Sequence, residues 1–177
     1  EQLSQVARIA AELGGSVLMQ HYGRLVSIEQ KARAGDLVTN ADLAAEKAVL
    51  ASLTEATPEI PVLAEESGAL GDVSDLCWCV DPLDGTTNFA HGYPFFATSI
   101  GLLWRGLPIL GAVAVPFLQE VFWCCPGSGA FLNDQPIQVS SCSSLDDSLL
   151  VTGFAYDRRE RLDNNYAEFC RLTHRTR

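Results

Sequence analysis

The run Leu76-Cys77-Trp78-Cys79-Val80 is continuously apolar and stops at Asp81-Pro82-Leu83-Asp84-Gly85. So short an apolar run, bounded by turn formers, reads as a buried strand rather than a helix. The chain must therefore fold so that one strand is enclosed while two carboxylates emerge at its end. In isolation D-P-x-D-G is an ordinary turn, since Asp, Pro and Gly are the usual turn residues. It is not isolated here. Glu65-Glu66-Ser67 follows a second short apolar strand, Pro61 to Ala64, and Asp36-Leu37-Val38-Thr39-Asn40-Ala41-Asp42 places further acid at a helix start. Solvation alone does not explain three acidic clusters at strand ends or helix starts.

The remaining pattern predicts the scaffold. Leu3, Val6, Ala10, Leu13 and Val17 recur at helical spacing, predicting an amphipathic helix over 2–21 that Gly23 stops. A short strand over 26–31 and a loop through Gly35 come next. Thr39 is a suitable N-cap, with Asp42 at the third position favouring the positive helix end, and this second helix reaches about Ser52. Ala97 to Trp104 and Leu107 to Val115 form a hairpin around Arg105-Gly106. Val121 to Cys125 is a further strand, Asn133-Asp134 marks another hairpin, 148–152 is a strand, and 165–173 is a last helix. Helices first and neighbouring strands later give an α+β layered domain, two helices packed on a largely antiparallel sheet.

Composition narrows the function. The 177 residues carry a formal net charge of −10. That balance disfavours nucleic acid polymers, whose affinity rests on Lys and Arg neutralising phosphates. Small anionic substrates remain accessible if metal ions invert the local field. No stretch reaches the roughly 20 apolar residues of a membrane span. The six cysteines, at 77, 79, 124, 125, 142 and 170, include no C-x-x-C pair. Reduced thiols fit a cytoplasmic protein, or a plastid stromal one if a leader preceded Glu1.

The acidic loop has a physical use. Asp81 and Asp84 offer hard oxygen ligands suited to Mg²⁺, which keeps several waters and pairs with phosphate. Pro82 stiffens the turn, and Leu83 can present a backbone carbonyl. Gly85 permits close backbone approach, and the N–H groups of Gly85 and Thr86 can bind phosphate if a helix starts there.

DLVTNAD (36–42), EES (65–67) and WCVDPLDGTTNFAHGYPFFATSIGL (78–102) resemble the successive motifs of the inositol monophosphatase family, and GSGAFLND (127–134) resembles a later strand and turn of that family. The resemblance covers essentially the whole chain, and the 78–102 block is the specific part of it. It implies the layered sandwich of inositol monophosphatase and fructose-1,6-bisphosphatase, with Mg²⁺ as cofactor. It also implies roles. Glu65, Asp81 and the Leu83 carbonyl would hold one metal, and Asp81 and Asp84 a second, with Glu66 beside them. Asp42 and Thr86 would orient the attacking water, with Glu65 also counted among the catalytic residues. Asp84, Gly85 and Thr86 would meet the phosphate. Lithium sensitivity and a homodimer are implied in the same way. The reaction is metal-assisted in-line displacement on a small phosphate monoester, inositol monophosphate first. Histidinol phosphate, a nucleotide 3′-phosphate or NADP are the alternatives within the family.

Two other metal or phosphate readings fail on spacing. Haloacid-dehalogenase-like phosphatases use D-x-D-G-T, whereas Asp81 and Asp84 are three apart with Pro82 between them. An EF-hand loop counted from Asp81 would put Leu83 third and Gly92 twelfth. The family also carries a downstream Trp-Asp metal ligand, and no Trp-Asp follows Thr86. The chain is accordingly expected to be the N-terminal portion of the phosphatase domain, with apolar surface exposed and activity weak. A metal-binding interaction module without turnover is the non-enzymatic alternative.

Overall fold

A computed structural model describes residues 1–31, 37–72 and 75–176. The expected loop through Gly35, and Asp36 of the DLVTNAD block, lie outside the described residues. The first helix, α1 (Gln2–His21), spans the predicted residues and ends before Gly23. Of the expected stripe, Ala10 is buried and Leu3, Val6 and Val17 pack at the core's edge, while the fully buried line runs through smaller residues. Ser4, Ala7, Ala10, Ala11, Gly14, Gly15 and Leu18 point inward, while Leu13 is 39% exposed. Small side chains let the helix backbone come close to its neighbours, whereas larger ones would hold it off. A Cβ added at Gly14 would lie 2.7 Å from Thr98 Cγ2 and 2.9 Å from Val49 Cγ2.

Two short strands follow, β1 (Ile28–Gln30) and β2 (Leu37–Thr39), paired as a ribbon. β1 is shorter than the predicted 26–31. Helix α2 (Asn40–Ala56) starts at the predicted cap and runs one turn past Ser52. Nothing stops it until Thr57, whose hydroxyl donates to the Leu53 carbonyl at 2.9 Å, with Pro58 next in the chain. Its inward stripe is Ala41, Asp42, Ala45, Glu46, Val49 and Leu53. Two carboxylates on a buried stripe are unusual, because ionised groups are seldom enclosed without partners.

The main sheet contains β3 (Val62–Ala64), β4 (Gly68–Leu70), β5 (Leu76–Asp84), β6 (Ala97–Trp104), β7 (Leu107–Val115), β8 (Glu120–Cys125), β9 (Gly129–Leu132) and β10 (Gln135–Ile137), with a short helix α3 (Thr86–Ala90) between β5 and β6. Its order is β10-β9-β8-β7-β6-β5-β3-β4. Every neighbouring pair is antiparallel except β3 and β5, which run parallel. Strand residues alternate as a half-covered sheet requires. Trp78, Val80, Ile100, Leu102, Leu110, Ala112 and Ala114 join Ala7, Ala10, Val49 and Leu53 in one core. Trp78 is fully buried and its indole N–H donates to Thr57 Oγ1 at 2.9 Å.

A second cluster lies under the acidic loop, with Leu18, Ala41, Ala45, Leu83, Phe89 and Phe96 buried. The Tyr22 ring packs on Phe89 and Phe96 at 5.5 and 5.2 Å between centroids. Of the nearby aromatics Phe89, Tyr93, Phe95 and Phe96, only Phe89 and Phe96 are buried; Tyr93 and Phe95 are 60% and 58% exposed.

The chain divides into two compact units, one of Glu1–Glu29 with Leu37–Ile137 and one of the remaining residues. The second holds a 3₁₀ turn (Leu145–Asp147) and helix α4 (Tyr166–Thr173). The strand expected over 148–152 is not formed; those residues have no regular structure, and a strand needs hydrogen-bonded neighbours to persist. Phe154 stacks against Tyr166 and Phe169, while Leu149, Val151 and Leu162 are 80%, 93% and 103% exposed. Among the described residues no helix is long and apolar enough to cross a membrane.

Candidate active site

The parallel pair positions the first two acids. Val62, Leu63 and Ala64 stand opposite Trp78, Cys79 and Val80, and the Glu65 N–H donates to the Val80 carbonyl at 3.0 Å. Continuing that register sets Glu65 level with Asp81. Neighbouring residues at one level of a parallel pair project to one side of the sheet.

Asp84 reaches the same side through an irregularity. Asp81 pairs with Ser99 and Asp84 with Ala97, so three steps along β5 match two along β6. Such a bulge inserts one residue and shifts every side chain beyond it to the other face. Ser99 and Ala97 share a face, so Asp81 and Asp84 do too, although three-residue spacing in a regular strand would oppose them. Pro82 sits in the bulge, where its missing N–H breaks no ladder bond. Its carbonyl accepts from the buried Thr98 hydroxyl at 3.0 Å, and Asp81 Oδ1 accepts from the Leu83 N–H at 3.1 Å.

The α2 N-terminus closes the other side. Thr39 Oγ1 accepts from the Ala41 N–H at 3.1 Å. Asp42 Oδ2 in turn accepts from the Thr39 N–H at 2.8 Å and the Thr39 hydroxyl at 2.6 Å. Its second oxygen, Oδ1, receives the Thr86 hydroxyl at 3.2 Å, which also lies 3.0 Å from the Leu83 carbonyl. Asp42 is thus both helix cap and partner of Thr86, across 44 residues of chain. Gly85 precedes α3 with φ 88° and ψ 36°. A Cβ there would sit 3.2 Å from the Phe95 carbonyl, so the tight turn suits glycine twice over. His91 Nδ1 lies 2.8 Å from the Thr87 carbonyl, one turn back in α3.

Electrostatics follow from this crowding. The Asp81 carboxyl is pushed up to about 7, first by burial, then by the Glu65 charge, a hydrogen bond with Glu65 and the nearby Asp84. A hydrogen bond between two carboxyl groups requires a proton between them. Burial likewise raises the Asp42 carboxyl, against the lowering effect of its Thr39 and Thr86 bonds. Among the described residues, no three Asp, Glu, His or Cys side chains stand as a ready-made metal cage. The donor set nonetheless fits Mg²⁺. Hard carboxylate oxygens converge from two strand ends, and the repulsion that raises Asp81 is the kind a divalent cation would relieve.

All seven residues singled out in the sequence, Asp42, Glu65, Asp81, Leu83, Asp84, Gly85 and Thr86, fall around this turn. The Leu83 side chain is buried beneath it. One participant was not foreseen. Glu46, only 4% exposed, accepts from the Glu66 N–H at 2.9 Å and the Ser67 N–H at 3.1 Å. The signal lay in its position one helical turn after Asp42 on a stripe otherwise apolar.

Comparison with known proteins agrees with the geometry. A sequence profile of the Inositol monophosphatase family matches residues 1–177. The chain is 53% identical over 173 residues to an inositol-1-monophosphatase of Synechocystis sp., covering 97% of this chain and 60% of that protein. It is 38% identical over 178 residues to the Nus factor SuhB of Pseudomonas aeruginosa, covering 97% of this chain and 65% of that one. The solved inositol monophosphatase of Anabaena (Nostoc) sp. superposes with a TM-score of 0.87 at 48% identity, over 98% of this chain and 64% of that structure. The chain thus spans less than two thirds of the length of these relatives. With its acidic turn, its capped α2 and a profile match along its whole length, the chain belongs to the inositol monophosphatase family.

Proposed function

We propose that the protein hydrolyses a small phosphate monoester with Mg²⁺, inositol monophosphate being the first candidate. The observation that supports this most directly is the convergence of Glu65, Asp81 and Asp84 beside the Asp42–Thr86 pair. Glu65, Asp81, the Leu83 carbonyl and Asp84 would hold the metal. When bound, Mg²⁺ supplies charge neutralisation at the phosphoryl oxygens and a lowered pKa for water. The chain's own groups do the positioning. Thr86 offers a hydroxyl oriented by Asp42 Oδ1 and the Leu83 carbonyl, placing a water for attack in line with the leaving group. The backbone N–H groups of Gly85 and Thr86 meet the phosphate, and no covalent intermediate is needed. Lithium inhibition, a homodimer and a cytoplasmic location belong to the same proposal.

A panel of inositol 1-phosphate, histidinol phosphate and a nucleotide 3′-phosphate, given to the naturally complete chain, tests it, with and without Mg²⁺ and with Asp84→Asn as control. Mg²⁺-dependent phosphate release that the substitution abolishes supports the phosphatase. Binding of Mg²⁺ by folded protein with no release from any substrate refutes it and favours an interaction module. One observation gives that second reading its weight: the relative from Pseudomonas aeruginosa carries the name Nus factor.

A further inference from the structure

We propose that Glu46 is a positioning residue for the acidic site: it fixes the 65–67 turn so that Glu65 stays level with Asp81. The inference rests on the metal-dependent reading above and extends it to a residue that touches neither metal nor substrate.

Both carboxylate oxygens of Glu46 are committed. Oε2 accepts from the Glu66 N–H at 2.9 Å. Oε1 accepts from the Ser67 N–H at 3.1 Å and also from the Ser67 hydroxyl. Three donors from two consecutive residues, gathered by one side chain, define the path of the backbone immediately after Glu65. Glu65 itself is tied to β5 through its N–H on Val80. The residue is therefore held from both sides, by the sheet and by α2.

Stability alone does not account for the choice. The stripe that carries Glu46 is otherwise filled by Ala41, Ala45, Val49 and Leu53, and enclosing a carboxylate is costlier than enclosing an apolar side chain of similar size. The carboxylate is useful because the half-buried N–H groups of Glu66 and Ser67 both converge on it, and it supplies each with a charged acceptor. Asp42 does the equivalent service for the turn at Thr86, four residues earlier on the same helix. At about 1.5 Å rise per residue the two clasps are about 6 Å apart along α2. One rigid helix thus sets the spacing between the Glu65 turn and the Asp84–Thr86 turn.

Glu46→Gln keeps the shape but turns an amide NH₂ toward one of the turn's N–H donors, so one clasp opens. Residues that orient metal ligands typically change metal affinity about 10–100-fold when replaced. Two measurements on the purified protein test the idea. Mn²⁺ binding followed by electron paramagnetic resonance should weaken about 10–100-fold in Glu46→Gln. Amide hydrogen exchange should accelerate at Glu66 and Ser67 while the rest of the sheet is unchanged. Val49→Ala, on the same stripe but without polar contacts, is the comparison: it should lower the melting temperature and leave Mn²⁺ affinity within about twofold, since it removes packing only. Equal Mn²⁺ affinity in Glu46→Gln and the unaltered protein would overturn the proposal, as would an equal loss in Val49→Ala. Failure of the unaltered protein to bind Mn²⁺ would instead remove the metal-dependent reading, and this inference with it. Unchanged exchange at Glu66 and Ser67 in Glu46→Gln would remove the clasp alone.

Discussion

Asp42 joins helix capping to the proposed chemistry, and two substitutions separate them. Asp42→Ala deletes an acceptor for the buried N–H and hydroxyl of Thr39, which is 2% exposed. A buried donor left without its acceptor costs about 1–3 kcal/mol, and loss of a helix cap is worth about 1 kcal/mol. These overlap, since the same N–H is counted in both. Release of a carboxyl whose ionised form burial disfavours offsets part of the loss. The net expectation is about 2 kcal/mol. For a chain of this size that lowers the melting temperature by about 4–8 °C. Asp42→Asn keeps an oxygen facing Thr39, and its amide can donate to Thr86 Oγ1 while that hydroxyl donates to the Leu83 carbonyl. Its stability should therefore stay within about 1 kcal/mol of the unaltered protein. The loss of the carboxylate should still lower phosphate release by about 10²–10⁴-fold. Because burial raises the folded carboxyl, its ionisation opposes folding as pH rises, so Asp42→Asn should gain relative stability as pH climbs above the ordinary carboxylate range of about 4. Circular dichroism melts paired with phosphate assays decide the matter. An Asp42→Ala protein melting with the unaltered one, or a fully active Asp42→Asn, refutes the reasoning.

Two further predictions concern the acid cluster and the helix beneath it. The Asp81 carboxyl titrates near 7 in the fold against about 4 in an unfolded chain, so the stability it confers is full below about pH 4 and lost as pH rises through about 7. With chelator present, the melting temperature should fall between pH 5 and pH 8; Asp81→Asn should flatten that slope, and Mg²⁺ at pH 8 should restore stability only with Asp81 intact. A slope equally steep in Asp81→Asn would contradict the assignment. Gly14→Ala should destabilise despite alanine's helix preference, because overpacking costs about 1–3 kcal/mol against about 1 kcal/mol gained in propensity. The new methyl would strike Thr98, which holds the Pro82 carbonyl, so a lowered urea midpoint should come with weaker Mg²⁺ binding. A raised midpoint would show that Thr98 yields freely.

Much of this was legible in the sequence because local rules and tertiary needs coincided. The α1 limits, the Thr39 cap and the hairpins around Arg105-Gly106 and Asn133-Asp134 each follow from a turn or cap residue at the right spacing. The acidic turn was legible because carboxylates cannot end a buried strand without a purpose. What escaped notice depended on partners distant in sequence. The α1 stripe was assigned mostly to larger side chains, which do pack at the core's edge, yet its closest approach, to Thr98 and Val49, falls on Gly14. Glu46 looks like a solvent-facing helix residue until the 65–67 turn is seen against it. Tyr93 and Phe95 share the hydrophobicity of Phe89 and Phe96, and only the path of the loop after α3 sorts them into exposed and buried. Alternation cannot reveal that Asp81 and Asp84 share a face, because the bulge breaks the two-residue period on which alternation rests.

That extra residue in β5 makes the site a matter of parity. If β5 paired residue for residue with β6, without the bulge, Asp84 would stand opposite Phe96 and its carboxylate would project from the other face of the sheet. The chain would keep every acid in its inventory and lose their meeting point. Deleting one residue between the two acids would restore an even ladder and keep both on one face, at a shorter reach. What keeps these two acids on one side is thus the match of three steps along β5 to two along β6, a property of pairing register that no count of carboxylates reveals.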